Sequence, residues 1–223
     1  MDLLATWLDL CDRVGARGDC SGVGRSLMVA YAGPDRAYHD VRHLAEVLEH
    51  VDALAGAAAA ADLVRLAAWF HDAVYDTHVG AEPGDRGASS SEDRSARLAT
   101  DSLFGLGLDE VEVTEVARLV RLTATHDPEP GDADGAVLCD ADLAVLARDP
   151  TGYAGYVAAV RQEYAHVPDD LFRTGRAAIL RALLDQPRLF RTPAAAARWE
   201  ARARANVTAE LTALGEAGPR LGG

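Results

Sequence analysis

The chain has 223 residues, 49% of them apolar, which is enough to bury a full core and is read most simply as one domain over residues 1–223. A formal net charge of −13 opposes binding to a nucleic acid polymer, which depends on cations that neutralise phosphates, so a small substrate fits better. All 22 basic residues are arginine, which excludes a lysine Schiff base or a P-loop lysine and leaves arginine, metal or backbone for any phosphate contact.

Apolar residues recur at helical spacing almost throughout, as in Leu44, Val47, Leu48 and Val51, and no alternating strand pattern is found. The expected fold class is therefore all-α, a helical bundle. Helices are expected over 2–14, 21–32, 40–55, 60–75, 92–104, 109–125, 140–148, 150–166, 169–185 and 193–214. The first of them follows Met1-Asp2, with no basic region of the kind that opens a secretory signal. Apolar stretches such as 51–64 are broken by Asp52 and Asp62, short of the roughly 18 uninterrupted residues a membrane span needs. A cytoplasmic protein with no membrane partner is expected. Cys11, Cys20 and Cys139 are odd in number and lack paired metal spacing, so buried free thiols are expected.

Along the chain, His39 and His43 are four residues apart and on a helix would share one face. In the 60–75 helix the apolar run Leu66 to Phe70 delivers His71 and Asp72 at its end, and a carboxylate buried there asks for a cation. From His78 to Ser91 the sequence, with Gly80, Pro83, Gly84 and Gly87, reads as a solvated loop in preference to a flap over the dyad. Asp76, His78 and Glu92 lie near the dyad in sequence. His126 closes a helical run just before the stop signal Asp127-Pro128; it is a candidate second-metal ligand or phosphate contact, or simply a cation at a helix C-terminus. Asp140 and Asp142, two apart, point to nearly opposite sides of a helix, so only one of them should bind a given ion. His50 and His166 have no motif around them and are expected at the surface.

Taken together, His43, the His71-Asp72 dyad and Asp142 form the order H…HD…D, a metal-ligand order. Two imidazoles and two carboxylates suit a divalent cation such as Mn, Fe, Co, Ni or Zn, and the chemistry to expect is metal-assisted hydrolysis.

The residues around these stations extend the pattern: Arg-x-Tyr-His-x-x-x-His at 36–43, Ala-Trp-Phe-His-Asp-x-Val-Tyr at 68–75, Glu-x-x-Ser-Ala at 92–96 and Thr-x-x-His at 123–126. It continues through Asp-Ala-Asp-Leu at 140–143, Tyr-x-x-Tyr at 153–156, Arg-x-Glu-Tyr at 161–164 and Glu-x-x-Ala-Arg-x-Asn at 200–206. Over nearly its whole length the chain resembles the HD-domain metal-dependent phosphohydrolases, and among them a bacterial group of predicted HD phosphohydrolases. The histidine-aspartate dipeptide alone would be weak evidence; its order and spacing with the other strings carry the match.

The resemblance implies an HD-domain bundle with His43, His71, Asp72 and Asp142 as metal ligands. Asp72 would also bridge to a second site, for which Mg is a candidate. By similarity to cyclic nucleotide phosphodiesterases, His39 is the candidate general acid; the alternative is a hydrogen-bonded structural histidine at the helix start. The Ala-Asp-Leu string favours Asp142 over Asp140, leaving Asp140 as an N-cap or an outer group. Glu92 would activate or orient a water, and Arg36, Arg42, Arg161 and His126 are candidates for contacting substrate phosphate. Tyr153, Tyr156 and Tyr164 fit core or rim packing better than base stacking. The implied activity is hydrolysis of a small phosphate ester, most of all a nucleotide. Two other readings stay open, a di-iron oxygenase of HD type and a noncatalytic metal- or nucleotide-binding module.

Overall fold

A computed structural model describes residues 1–77 and 90–216; the expected loop from His78 up to residue 89 lies outside the described residues. Among these residues there are ten α-helices and no strand, as the apolar periodicity requires. No described helix is long and apolar enough to cross a membrane. Residue contacts divide the chain into two compact units, Met1–Asp142 and the part from Leu143 onward.

The first unit holds α1 (Leu3–Arg13), α2 (Cys20–Tyr31), α3 (Val41–Leu54), α4 (Ala61–Phe70), α5 (Ser91–Gly105), α6 (Glu110–Leu122) and nearly all of α7 (Ala133–Leu143). Most of these helices start at an acidic or hydroxyl side chain that takes up an otherwise unpaired amide. Asp2, Asp19, Asp40 and Ser90 do so for α1, α2, α3 and α5, and Asp109 with Glu112 forms a reciprocal capping box on α6. The hub is α4, which packs against α1, α3, α5 and α6. Val64 and the run Leu66 to Phe70 are wholly buried, which is why this helix is apolar nearly all round. Trp7 of α1 meets Trp69 and Phe70 edge-on, with ring centroids 5.3 and 6.0 Å apart, and its indole N–H donates to the Cys20 carbonyl at 2.7 Å. A side chain at Gly24 would collide with the Trp7 ring, so glycine there lets α2 lie close to α1.

Two expected helices differ from the observed ones by five residues or more at an end. The helix expected over 60–75 ends at Phe70, because side chains from other elements capture the amides that would continue it. Tyr31 Oη accepts from Asp72 N at 3.2 Å, Ser95 Oγ from Val74 N at 3.0 Å and Ser91 Oγ from Asp76 N at 3.2 Å. The helix expected over 140–148 begins instead at Ala133, where Asp132 accepts from Gly135 N at 2.9 Å. It gives way to a 3-10 turn at Ala144–Ala147.

The second unit holds α8 (Pro150–Glu163), α9 (Asp169–Asp185) and α10 (Pro193–Glu216). Beside an apolar core that includes Leu180, Phe190 and Val207 it buries a polar cluster. The Arg176 guanidinium grips the Glu210 carboxylate at 2.7 and 3.1 Å, Tyr153 Oη donates to the same carboxylate, and Arg176 lies over the Tyr156 ring. Several sequence strings that run through this unit do capping work. Asn206 donates to the carbonyls of Leu146 and Arg148, Arg204 donates to the carbonyls of Leu184 and Gln186, and Glu200 accepts from the amides of Leu189 and Phe190.

Candidate metal centre

Three places in the first unit supply the cluster: the start of α3, the end of α4 and the last turn of α7. Asp40 caps α3 by accepting from the amides of Arg42 and His43 at 2.8 and 3.2 Å, which sets His43 in the first turn facing inward. His71 follows directly on the buried run of α4, and its Nδ1 lies 2.8 Å from the Ala68 carbonyl. A carbonyl only accepts, so the proton sits on Nδ1 and the Nε2 lone pair of a neutral His71 faces the cluster. His43 and His71 are 3% and 1% exposed, which leaves little water to satisfy them.

The donor atoms converge. His43 Nε2 lies 3.2 Å from His71 Nε2, 3.2 Å from Asp142 Oδ1 and 3.4 Å from Asp72 Oδ2. His71 Nε2 lies 3.1 Å from Asp72 Oδ2 and 3.7 Å from Asp142 Oδ1. Ligands about 2.1 Å from a common cation stand roughly 3.0–3.4 Å from their neighbours, so these spacings suit a shared ion. Donor atoms of His43, His71 and Asp142 all lie within 4.8 Å of one another, a group that can hold a metal ion. Asp72 touches two members of that group.

Electrostatics agree with the donor chemistry. Burial by itself pushes His43 down, but hydrogen bonds to Asp142 and Asp72 and their charges outweigh it and hold the imidazole up at about 10. His71 is likewise raised, burial opposing and Asp72 foremost among the groups that overcome it. Burial would raise both carboxylates, yet Asp72, facing His71, His39 and His43, lies well below the usual carboxylate range, as does Asp142, facing His126, His43 and His71. Two half-buried carboxylates thus draw positive charge to the point where two buried imidazole nitrogens meet. A divalent cation supplies that charge without requiring a proton on either ring.

The other sequence candidates fall in different places. His39 precedes the cap residue Asp40 and is therefore not on α3, so a shared helix face does not explain its pairing with His43. The turn before α3 brings them together instead: the His39 ring stacks on Tyr75 with centroids 4.2 Å apart and meets the His43 ring edge-on at 5.6 Å. Arg36 holds that turn, donating to the His39 carbonyl at 2.7 Å and to the Ala73 carbonyl at 3.0 Å, with its guanidinium over the Tyr31 and Tyr75 rings. The Arg42 side chain is 80% exposed and pairs with Asp40. In the second unit, Arg161 donates to the carbonyls of Tyr164 and Val167, pairs with Asp169 and lies over Phe172. Glu92 is half-buried in the first turn of α5, three residues before the Ser95 that binds the Val74 amide. Of the doubled aspartates, Asp142 reaches the imidazoles, and Asp140 is fully buried. His126 lies against Asp142, with Nε2 2.8 Å from Oδ2.

Tyr31 is a supporting residue that the sequence reading missed. Fully buried in α2, its hydroxyl accepts from the Asp72 amide and donates to the Trp69 carbonyl at 3.3 Å, pinning the dyad from both sides. A tyrosine in an apolar helix gives no sequence signal for such a role. A cleft of about 730 Å³ between α1, α3 and α4, floored by Leu10, Leu48 and Trp69 and bordered by the ion-paired Arg13 and Arg65, contains none of the cluster residues. The chain matches no family model, no curated protein and no solved structure.

Proposed function

We propose that this chain is a metal-dependent hydrolase of HD type that acts on a small phosphate ester, nucleotides foremost. The observation that carries the reading is the buried meeting of His43, His71 and Asp142 with Asp72 alongside, in the chain order H…HD…D. Mixed imidazole and carboxylate donors suit Mn, Fe, Co, Ni or Zn. When bound, such a cation polarises a phosphoryl oxygen and lowers the pKa of the attacking water.

The chain's own residues supply the rest. Asp72 and Asp142 keep their charge in the buried cluster and offset that of the cation, while the Ala68 carbonyl fixes the His71 ring with Nε2 turned inward. His39 is half-buried beside His43, and its stacking on Tyr75 and the Arg36 contact to its carbonyl hold it in place to deliver a proton to the departing ester oxygen. The charge of −13 favours a small phosphorylated substrate over a nucleic acid polymer.

The test is anaerobic purification with elemental analysis, then phosphate release from nucleoside phosphates, cyclic nucleotides, sugar phosphates and p-nitrophenyl esters. Metal-dependent release from a member of this panel, lost in His71→Ala, is expected. A metal-loaded protein inert on the whole panel, or turnover that survives metal removal, refutes the reading.

A further inference from the structure

We infer that His126 is a positioning residue of the metal centre: its imidazole N–H holds Oδ2 of Asp142 so that Oδ1 is the oxygen presented to His43 and His71. The inference rests on the metal reading above and goes beyond it, because His126 supplies no atom to the His43, His71 and Asp142 donor group.

Two independent observations point to it. The first is the division of labour on one carboxylate. Asp142 Oδ1 lies 3.2 Å from His43 Nε2 and 3.7 Å from His71 Nε2, while Oδ2 lies 2.8 Å from His126 Nε2. An ionised carboxylate only accepts, so His126 Nε2 carries the hydrogen of that bond and its lone pair is not aimed at the cluster. The contact is that of a hydrogen-bonded ligand carboxylate, which outer groups hold in one rotamer.

The second observation is the backbone. His126 has φ +50°, and among the described residues it is the only one other than glycine with a positive φ. The chain has left α6 at Leu122 and turns towards Asp127-Pro128; the His126 amide still bonds back to the Leu122 carbonyl at 3.0 Å. A left-handed residue is uncommon for a side chain with a Cβ, histidine adopting it more readily than most, and glycine would fit more easily still. With that backbone the His126 ring lies on the Asp142 carboxylate, so an uncommon conformation coincides with a contact to the cluster.

The experiment compares the full-length wild type with His126→Ala and His126→Gln. Each metal-free protein is titrated with Co²⁺ by calorimetry and visible absorption, with thermal melts run alongside. Glutamine can place an amide N–H near the position of Nε2 and so preserve the bond, whereas alanine cannot. With His126 as a positioning residue, His126→Ala should bind Co²⁺ about 10–100-fold more weakly at unchanged stoichiometry with an altered absorption band, and His126→Gln should recover most of the affinity. Unchanged affinity in His126→Ala, with or without a lower melting temperature, overturns the inference and makes the histidine purely structural. Loss of one of two bound equivalents, with no recovery in His126→Gln, overturns it in favour of a direct ligand. If the wild type itself binds no Co²⁺, the metal reading falls and takes this inference with it, an outcome separate from wild-type binding with an indifferent His126→Ala.

Discussion

Asp142→Asn is the sharpest single perturbation of the cluster, because it preserves shape while removing the charge that two buried imidazoles face at 3.2 and 3.7 Å and that His126 meets at 2.8 Å. The amide cannot satisfy both sides. With its oxygen kept on His126, its NH₂ group turns towards His43 and His71 where a donor oxygen stood; flipped, it loses the His126 bond. Removing one partner from a buried charge interaction costs about 3–5 kcal/mol, and each 1.4 kcal/mol is tenfold in an equilibrium constant, so metal affinity should fall by about 10²–10⁴-fold. Metal-free wild type, Asp142→Asn and Asp140→Asn would be titrated by calorimetry, with elemental analysis of protein purified without chelator. Asp140 is fully buried two residues earlier on α7, so Asp140→Asn should lower the melting temperature while the folded variant keeps wild-type metal affinity. Metal binding that survives Asp142→Asn and is lost in Asp140→Asn would refute the assignment of the ligand on α7.

Three further outcomes are expected. His39→Ala should retain metal and lose about 10²–10⁴-fold in turnover of esters with poor leaving groups, with a much smaller loss for p-nitrophenyl esters, whose leaving group departs unprotonated; loss of metal, or an equal defect on both substrate types, would remove His39 from the acid role. In the metal-free protein His43 is raised from 6.5 to about 10, so its stabilising contribution is complete below about pH 6.5 and is lost as the pH rises through about 10. Asp72 and Asp142 are depressed below 3.8, so theirs is present above that value and is lost as the pH falls through their folded values. Melting temperature against pH should therefore decline on both sides of that window, while metal affinity, which needs unprotonated imidazoles, should increase with pH; a metal affinity independent of pH would count against imidazole ligands. Tyr31→Phe deprives the Asp72 amide and the Trp69 carbonyl of their shared partner at a cost of about 1–3 kcal/mol each, and calorimetric melts should show a fall of about 4–24 °C with weaker metal binding. An unchanged melt would show that another group takes over both contacts.

Much of the molecule was legible along the chain, because its signals are local. Helix class follows from apolar residues at 3.6-residue spacing, and most starts follow from Asp or Ser just before the run, as at Asp2, Asp40 and Asp109. His43, His71, Asp72 and Asp142 could be picked out because their residue types and order carry metal-donor chemistry. What tertiary structure decided are the contacts between segments distant in sequence. Helix α4 stops at Phe70 because Tyr31, Ser95 and Ser91 take the amides that follow, which no pattern within 60–75 encodes. Arg36, drawn from a string that suggested phosphate contact, is engaged with main-chain carbonyls instead. The pairing of His39 with His43 through a turn and the bond from His126 to Asp142 Oδ2 both depend on where packed helices place a side chain to within an ångström or two. Sequence specifies which donors exist and which faces are apolar; the packing of α3, α4 and α7 decides which atoms meet, because hydrogen bonds and metal ligation depend on distances that periodicity does not fix.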